Sequence, residues 1–281
     1  MKIKDFFGKK KVETVVETTV KTTVKVDAAN ENDDNKDEKS LNKVAPKDIG
    51  VLDMVIAFDT TGSMAAYIGA VRQEVAELVP RLFKDNENLR LGIVAFGDYC
   101  DMESATEFGK AYQCLMPTDN ENDIIKFIRE SQNTSGGDGD EFYELVIKKI
   151  VEETPWRKDA MKAVLLISDA HPHPIGYTYR DFVVNNQIDW RKEAEKAAFE
   201  KIKIDTVTIT DASWYKELSK MTNGISVPFE SGYKTARLVE AATMARGSME
   251  ARAKFDIMAD SCEDKEMQEV YHCYRIARDD V

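Results

Sequence analysis

Three residues close together, Asp59, Thr61 and Ser63, offer one carboxylate and two hydroxyls. They follow an apolar run at 51–58, and helical periodicity begins at Ala65. A strand that ends in such a turn presents an all-oxygen donor set, which suits a hard divalent cation such as Mg²⁺. Short Ser/Thr/Asp turns also start helices, so N-capping by Thr61 or Ser63 is the competing reading. Two later segments carry related chemistry. Residues 133–141 set Thr134, Asp138 and Asp140 among three glycines, which allow a backbone to approach an ion closely. The competing reading there is a flexible acidic loop that caps the helix beginning near Asp140. Residues 164–169 are an apolar run that ends in Asp169, followed by His171 and His173. A His-x-His pair invites zinc, but nothing else nearby supplies imidazole or thiolate.

These residues need elements that bring them together. Apolar runs of strand length lie at 51–58, 89–96, 163–168, 206–210 and 225–229. Helical periodicity appears at 65–83, 122–130, 141–152, 190–201, 214–221 and from 235 onward. Strands that alternate with helices imply a parallel sheet covered on both faces. Runs 89–96 and 108–116 have no helix between them, which predicts a hairpin and one antiparallel edge strand. The expected architecture is therefore α/β: a doubly wound, mostly parallel central sheet with one antiparallel edge strand and helices on both faces. In such sheets ligands bind beyond the carboxyl ends of the strands, where the strand order reverses. The three segments above should meet there.

The segment Asp59-Thr60-Thr61-Gly62-Ser63 resembles the Asp-x-Ser/Thr-x-Ser motif of the von Willebrand factor type A domain, its metal-ion-dependent adhesion site. The run Gly136-Gly137-Asp138-Gly139-Asp140-Glu141 is similar to the Gly-Gly-Asp-x-Pro-Glu run of a subset of that family, with Asp140 where Pro is usual. Residues 165–173 look like its Leu-Ile-x-Asp-Ala-x-Pro-His segment. Gly97-Asp98-Tyr99-Cys100-Asp101 looks like an Arg-Asp-Tyr/His-Cys-Asp segment, with Gly97 in place of Arg. The resemblance implies a Rossmann-like fold and a Mg²⁺ site, with Mn²⁺ or Ca²⁺ as alternatives. It implies that Thr61 and Ser63 ligate the metal, that Asp59 accepts hydrogen bonds from metal-bound water and Ser63, and that Asp169 is the last carboxylate. Asp138 is the expected loop ligand and Thr134 its alternative. Asp98, Asp101, His171 and His173 are expected on a partner-binding rim. Asp98 and Asp101 also read as plain turn residues at a strand end.

The 281 residues divide by pattern into a leader at 1–48, a domain at 49–235 and a helical extension at 236–281. The leader is Val/Thr-rich and then strongly polar. It reads either as disordered or as a strand that adds to a partner. The extension reads as packing back onto the domain, or as a helix that docks elsewhere. A net charge of −12 argues against nonspecific binding to nucleic acid or an anionic membrane. No apolar run reaches the ~20 residues of a membrane span, and the start lacks a secretory pattern. Four scattered cysteines fit free thiols and a cytoplasmic setting; a Cys100–Cys114 pair is the alternative for an exported protein.

The functional expectation is a non-enzymatic, Mg²⁺-dependent interaction module that grips a Glu or Asp of a protein ligand. By resemblance the partner is an AAA+ ATPase or a signalling kinase or phosphatase. The alternatives are an assembly component that exchanges leader strands with its neighbours, and a metal-dependent hydrolase. No Ser-His-Asp or Cys-His order and no phosphate loop supports the last.

Overall fold

The computed structural model describes residues 50–180, 187–210, 213–228 and 235–279. The leader at 1–48 lies outside the described residues. A six-stranded sheet forms the centre. Its strands are β1 (Leu52–Asp59), β2 (Leu89–Phe96), β3 (Tyr112–Thr118), β5 (Met161–Ser168), β7 (Ile202–Thr208) and β8 (Ser226–Pro228). Their order is β3-β2-β1-β5-β7-β8. All neighbours run parallel except β2 and β3, the expected antiparallel edge pair. The chain moves from β1 outward to β2 and β3, then returns to the other side of β1. The order therefore reverses between β1 and β5, and their carboxyl ends carry Asp59 and Asp169.

The helices are α1 (Ala65–Asp85), α2 (Glu121–Glu130), α3 (Tyr143–Glu153), α4 (Trp190–Phe199), α5 (Ser213–Met221), α6 (Thr235–Arg246), α7 (Met249–Asp260) and α8 (Lys265–Asp279). They cover both faces. On one face, Met54, Ile56 and Phe58 of β1 pack with Val71 and Val79 of α1, Ile124 of α2 and Leu238 of α6. On the other, Val55 and Ala57 pack with Val146 of α3, Ala194 of α4 and Trp214 of α5. Each of the Val, Leu, Ile, Phe and Met side chains among these contributes about 1.5–3 kcal/mol on burial. β1 is buried at every position, which explains why its sequence up to Phe58 reads as an apolar run interrupted only by Asp53.

Several bounds shift: the edge strand expected at 108–116 is β3 at Tyr112–Thr118, because a 3₁₀ turn occupies Gly109–Ala111. The helix expected from Glu141 begins at Tyr143, because Asp140–Glu141 forms a two-residue strand, β4, paired in parallel with β6 (His171–Pro172). β7 begins at Ile202, four residues early, since Lys201 turns through a positive φ of 58° and Ile202 pairs at once with Lys162. The tail packs back onto the domain: Phe255 of α7 and Met267, Val270, Tyr271 and Tyr274 of α8 join the α1 face of the core. Helical periodicity from 235 onward does not run as one helix, and Met249 is 71% exposed. The helix breaks before it, where Ser248 Oγ accepts from Ala251 N at 3.2 Å and starts α7.

Candidate metal centre

Asp59 is fully buried at the end of β1. Its Oδ1 accepts from Thr61 N at 2.8 Å and from Thr61 Oγ1 at 2.6 Å; its Oδ2 accepts from Tyr143 OH at 2.6 Å. Burial, and secondarily the charge of Asp169, push this carboxyl up to about 6 against those hydrogen bonds. Thr61 Oγ1 lies 3.3 Å from Ser63 Oγ. Neither hydroxyl caps a helix: the short 3₁₀ turn Gly62–Met64 and α1 both begin without a side-chain cap bond. The hydroxyls are turned to the carboxylates instead. Asp59 takes its bonds from Thr61 and Tyr143, where the resemblance implied Ser63.

Asp169, half-buried, follows β5 across the switch point from Asp59. Its Oδ1 is buried without a hydrogen-bond partner. Burial raises its carboxyl, and a hydrogen bond from Ser63 draws it down in part. Main-chain bonds hold this corner: Thr210 Oγ1 donates to Asp169 O at 2.8 Å, and Trp214 Nε1 and Tyr215 OH donate to Ala170 O at 2.9 and 2.7 Å.

The glycine loop supplies a carboxylate that the sequence reading passed over. Glu141 is 3% exposed, and its Oε2 is buried with no partner. Burial first, then the charges of Asp59 and Asp98, push it up to about 10, while a hydrogen bond from Thr61 works the other way. Gly136 adopts φ +69°, and a Cβ there would lie 2.7 Å from Glu141 Oε1 and 3.3 Å from Thr61 Cβ. The absence of a side chain at Gly136 is what lets the loop, Glu141 and the Thr61 turn meet. Asp101 fixes that loop, since its two oxygens accept from Ser135 N at 2.9 Å and Gly136 N at 3.1 Å.

Other expected residues fall elsewhere. Thr134 is buried, with Oγ1 2.9 Å from Thr60 Oγ1, and Thr60 Oγ1 donates to Phe96 O at 2.8 Å. That hydroxyl ties the loop to the ends of β1 and β2. Gly97 has no Arg-sized side chain because a Cβ there would lie 2.4 Å from Thr134 Oγ1. Asp138 gathers with Asp98 and His173, with ligand atoms within 4.8 Å of one another. Of the four residues expected on a partner-facing rim, only His171 is exposed; Asp98, Asp101 and His173 are 0%, 7% and 3% exposed. Their polar atoms face the loop and one another, and this internal pairing outweighs exposure to water. Glu141 had one sequence signal, its position in the Gly-Gly-Asp-x-x-Glu run. Tyr143 had none, because a buried aromatic two residues into a helix reads as core.

A model of the von Willebrand factor type A domain matches residues 53–237, and the chain belongs to that family. Family members generally act as non-enzymatic interaction modules and typically bind a divalent metal. A putative ariadne-like RING finger protein of Acanthamoeba polyphaga mimivirus is 24% identical over 196 residues, or 64% of this chain. The chain spans only 18% of that relative's length. Among solved structures, proximal thread matrix protein 1 of the mussel byssus superposes with TM-score 0.51 at 16% identity. The match covers 69% of this chain and 47% of that one, and the likeness is one of fold. An aerotolerance-related membrane protein of Bacteroides fragilis gives TM-score 0.43 at 13% identity over 68% of this chain and 98% of its own. Among the described residues no helix is long and apolar enough to cross a membrane.

Proposed function

We propose that this chain is a Mg²⁺-dependent protein-interaction module of the adhesion-site kind, which binds an acidic side chain of a protein partner. The observation that carries the reading is the pair of buried, partnerless carboxylate oxygens, Asp169 Oδ1 and Glu141 Oε2, at the switch point beside two uncapped hydroxyls. Burying a carboxylate oxygen without a partner is costly, and a cation relieves that cost. The donor set is all oxygen, which favours Mg²⁺, with Mn²⁺ or Ca²⁺ as substitutes. Thr61, Ser63 and Asp169 would hold the ion. Asp59, fastened by Thr61 and Tyr143, orients the hydroxyls. Glu141 takes the role first expected of Asp138 or Thr134.

A metal held partly by neutral hydroxyls supplies an electrophilic position for an incoming carboxylate. Ser63 is exposed, so the centre faces solvent on that side and a partner's Glu or Asp has access. The net charge of −12 favours such single-point recognition over broad attraction to an acidic surface, and it disfavours nucleic acid and membrane. A cytoplasmic AAA+ ATPase or a signalling kinase or phosphatase is the class of partner that the resemblance brings with it.

The test is calorimetric titration of Mg²⁺ and Mn²⁺ into metal-stripped protein, for wild type and Asp59→Ala. One saturable site in the wild type, absent in a mutant with unchanged circular dichroism, is the expected result. Equal binding by both proteins would remove Asp59 from the site and the reading with it.

A further inference from the structure

Beside that centre lies a cluster of different chemistry. Asp98, Asp138 and His173 each offer a ligand atom, and the three atoms lie within 4.8 Å of one another. They come from three segments: the end of β2, the glycine loop, and the turn after β6. His173 Nε2 is 2.7 Å from Asp98 Oδ1. Asp98 is fully buried, and its second oxygen, Oδ2, has no partner; nor has His173 Nδ1. Asp138 is exposed and forms the open side.

We propose that Asp98, Asp138 and His173 form a second cation site, distinct from the Asp59 centre, which takes a transition-metal ion with Zn²⁺ foremost. The donor set decides the class of ion. One imidazole with two carboxylates suits Zn²⁺ and its first-row neighbours, whereas Mg²⁺ and Ca²⁺ prefer oxygen alone. Bonds of about 2.0–2.2 Å place any two ligand atoms at most roughly 4.4 Å apart. The three atoms lie within 4.8 Å of one another, so at most a small shift of the exposed Asp138 brings them inside this limit.

The surroundings have the form of a supported metal site. Tyr177 OH donates to Asp138 Oδ2 at 3.2 Å, and the Tyr177 ring stacks on His173 with centroids 3.7 Å apart. His173 N donates to Glu144 Oε2 at 3.2 Å. These bonds orient the ligands before an ion arrives. Gly137 lets the loop come down over the cluster, since a Cβ there would lie 3.6 Å from Asp98 Oδ2 and 3.0 Å from Cys100 Sγ. Asp138 and Glu141 share this short loop, so an ion on Asp138 would restrain the segment that carries Glu141 to the first centre.

The site is tested with Co²⁺ and Zn²⁺ titrated into the full chain under excess Mg²⁺, for wild type, Asp59→Ala, Asp138→Asn and His173→Gln. Asp138 is exposed, so its variant keeps the fold even where His173→Gln does not. One equivalent should bind wild type and Asp59→Ala alike, and Asp138→Asn should weaken binding by roughly tenfold or more. Bound Co²⁺ should shift or broaden the His173 ring signals in the NMR spectrum. Three results would each overturn the proposal: binding that survives Asp138→Asn unchanged, binding lost in Asp59→Ala, or no saturable binding by wild type. Only the second would leave the Asp59 centre occupied by the transition metal, so the two sites fail independently.

Discussion

Glu141 shows what a single buried carboxyl does in a crowded acidic site. Held up to about 10, it is neutral at pH 7 while no metal is bound. Glu141→Gln is therefore nearly isosteric with the metal-free form, and its melting temperature in EDTA should match wild type. Mg²⁺ at a hundredfold excess over Kd should stabilise the wild type by about 2.7 kcal/mol and the variant much less. Thermal melts with and without Mg²⁺ measure both. At the opposite end of β1, Asp53 is fully buried and accepts from Arg90 Nη2 at 2.6 Å, Arg157 N at 2.7 Å and Arg157 Nε at 2.8 Å. Burial alone would raise it, but the hydrogen bonds from Arg90 and Arg157 outweigh burial and hold it below its ordinary value of 3.8. A carboxyl lowered in the folded state stabilises the protein above its unfolded value, and that stability is lost as pH falls through the folded value. Arg90 and Arg157 are partly exposed and keep main-chain acceptors at Pro155 O and Leu52 O, so Asp53→Asn should cost about 1.5–3 kcal/mol at pH 7, the worth of the charged hydrogen bonds it removes. Urea denaturation across pH should show that gap narrowing only below pH ~4.

Short elements aim the site. The β4–β6 pair has two residues on each side, too few for any periodicity to announce, yet it brings Glu141 beside the turn that follows Asp169. Asp140 N also donates to Asp138 Oδ1 at 3.0 Å, a bond that the Pro usual at this position in the family subset could not make. The glycine loop depends on Gly136. Gly136→Ala would force a side chain into φ +69° and against Glu141 Oε1. The backbone conformation alone costs roughly 1–3 kcal/mol. The expected outcome is a lower melting temperature together with weakened Mg²⁺ binding, whereas Gly139→Ala, where an added Cβ meets nothing within 4 Å, should leave binding intact.

Across the whole molecule, the tail after the matched domain belongs to the core. Asp205 lies in β7 at 1% exposure, a carboxylate in a parallel strand where an apolar residue would be expected. Arg246 at the end of α6 pairs with it, donating from Nη2 to Oδ1 at 2.6 Å, and Tyr274 OH of α8 donates to Oδ2 at 3.1 Å. Arg246→Met should destabilise by about 3–5 kcal/mol by stranding Asp205, and the double variant Asp205→Asn, Arg246→Met should recover much of the loss. Denaturant midpoints for the single and double variants check this. Truncation at residue 247 should give aggregation, since it uncovers the core that Phe255, Val270, Tyr271 and Tyr274 close.

The sequence by itself determined the mostly parallel sheet and its one antiparallel edge. Hydrophobic runs, their lengths and the helices between them are local, and they leave few topologies open. It also determined that Asp59 and Asp169 each end a buried strand, because each directly follows an apolar run; that these strands are neighbours came with the sheet order. Which loop carboxylate turns toward them was decided only in three dimensions. Thr134, Asp138 and Glu141 lie within eight positions of each other, and nothing local distinguishes a side chain that bonds Thr60 from one that meets His173 or Thr61. That choice follows from the φ of Gly136, the clamp of Asp101 on the loop and the pairing of β4 with β6. The last two are contacts between segments about 30 or more residues apart in the chain.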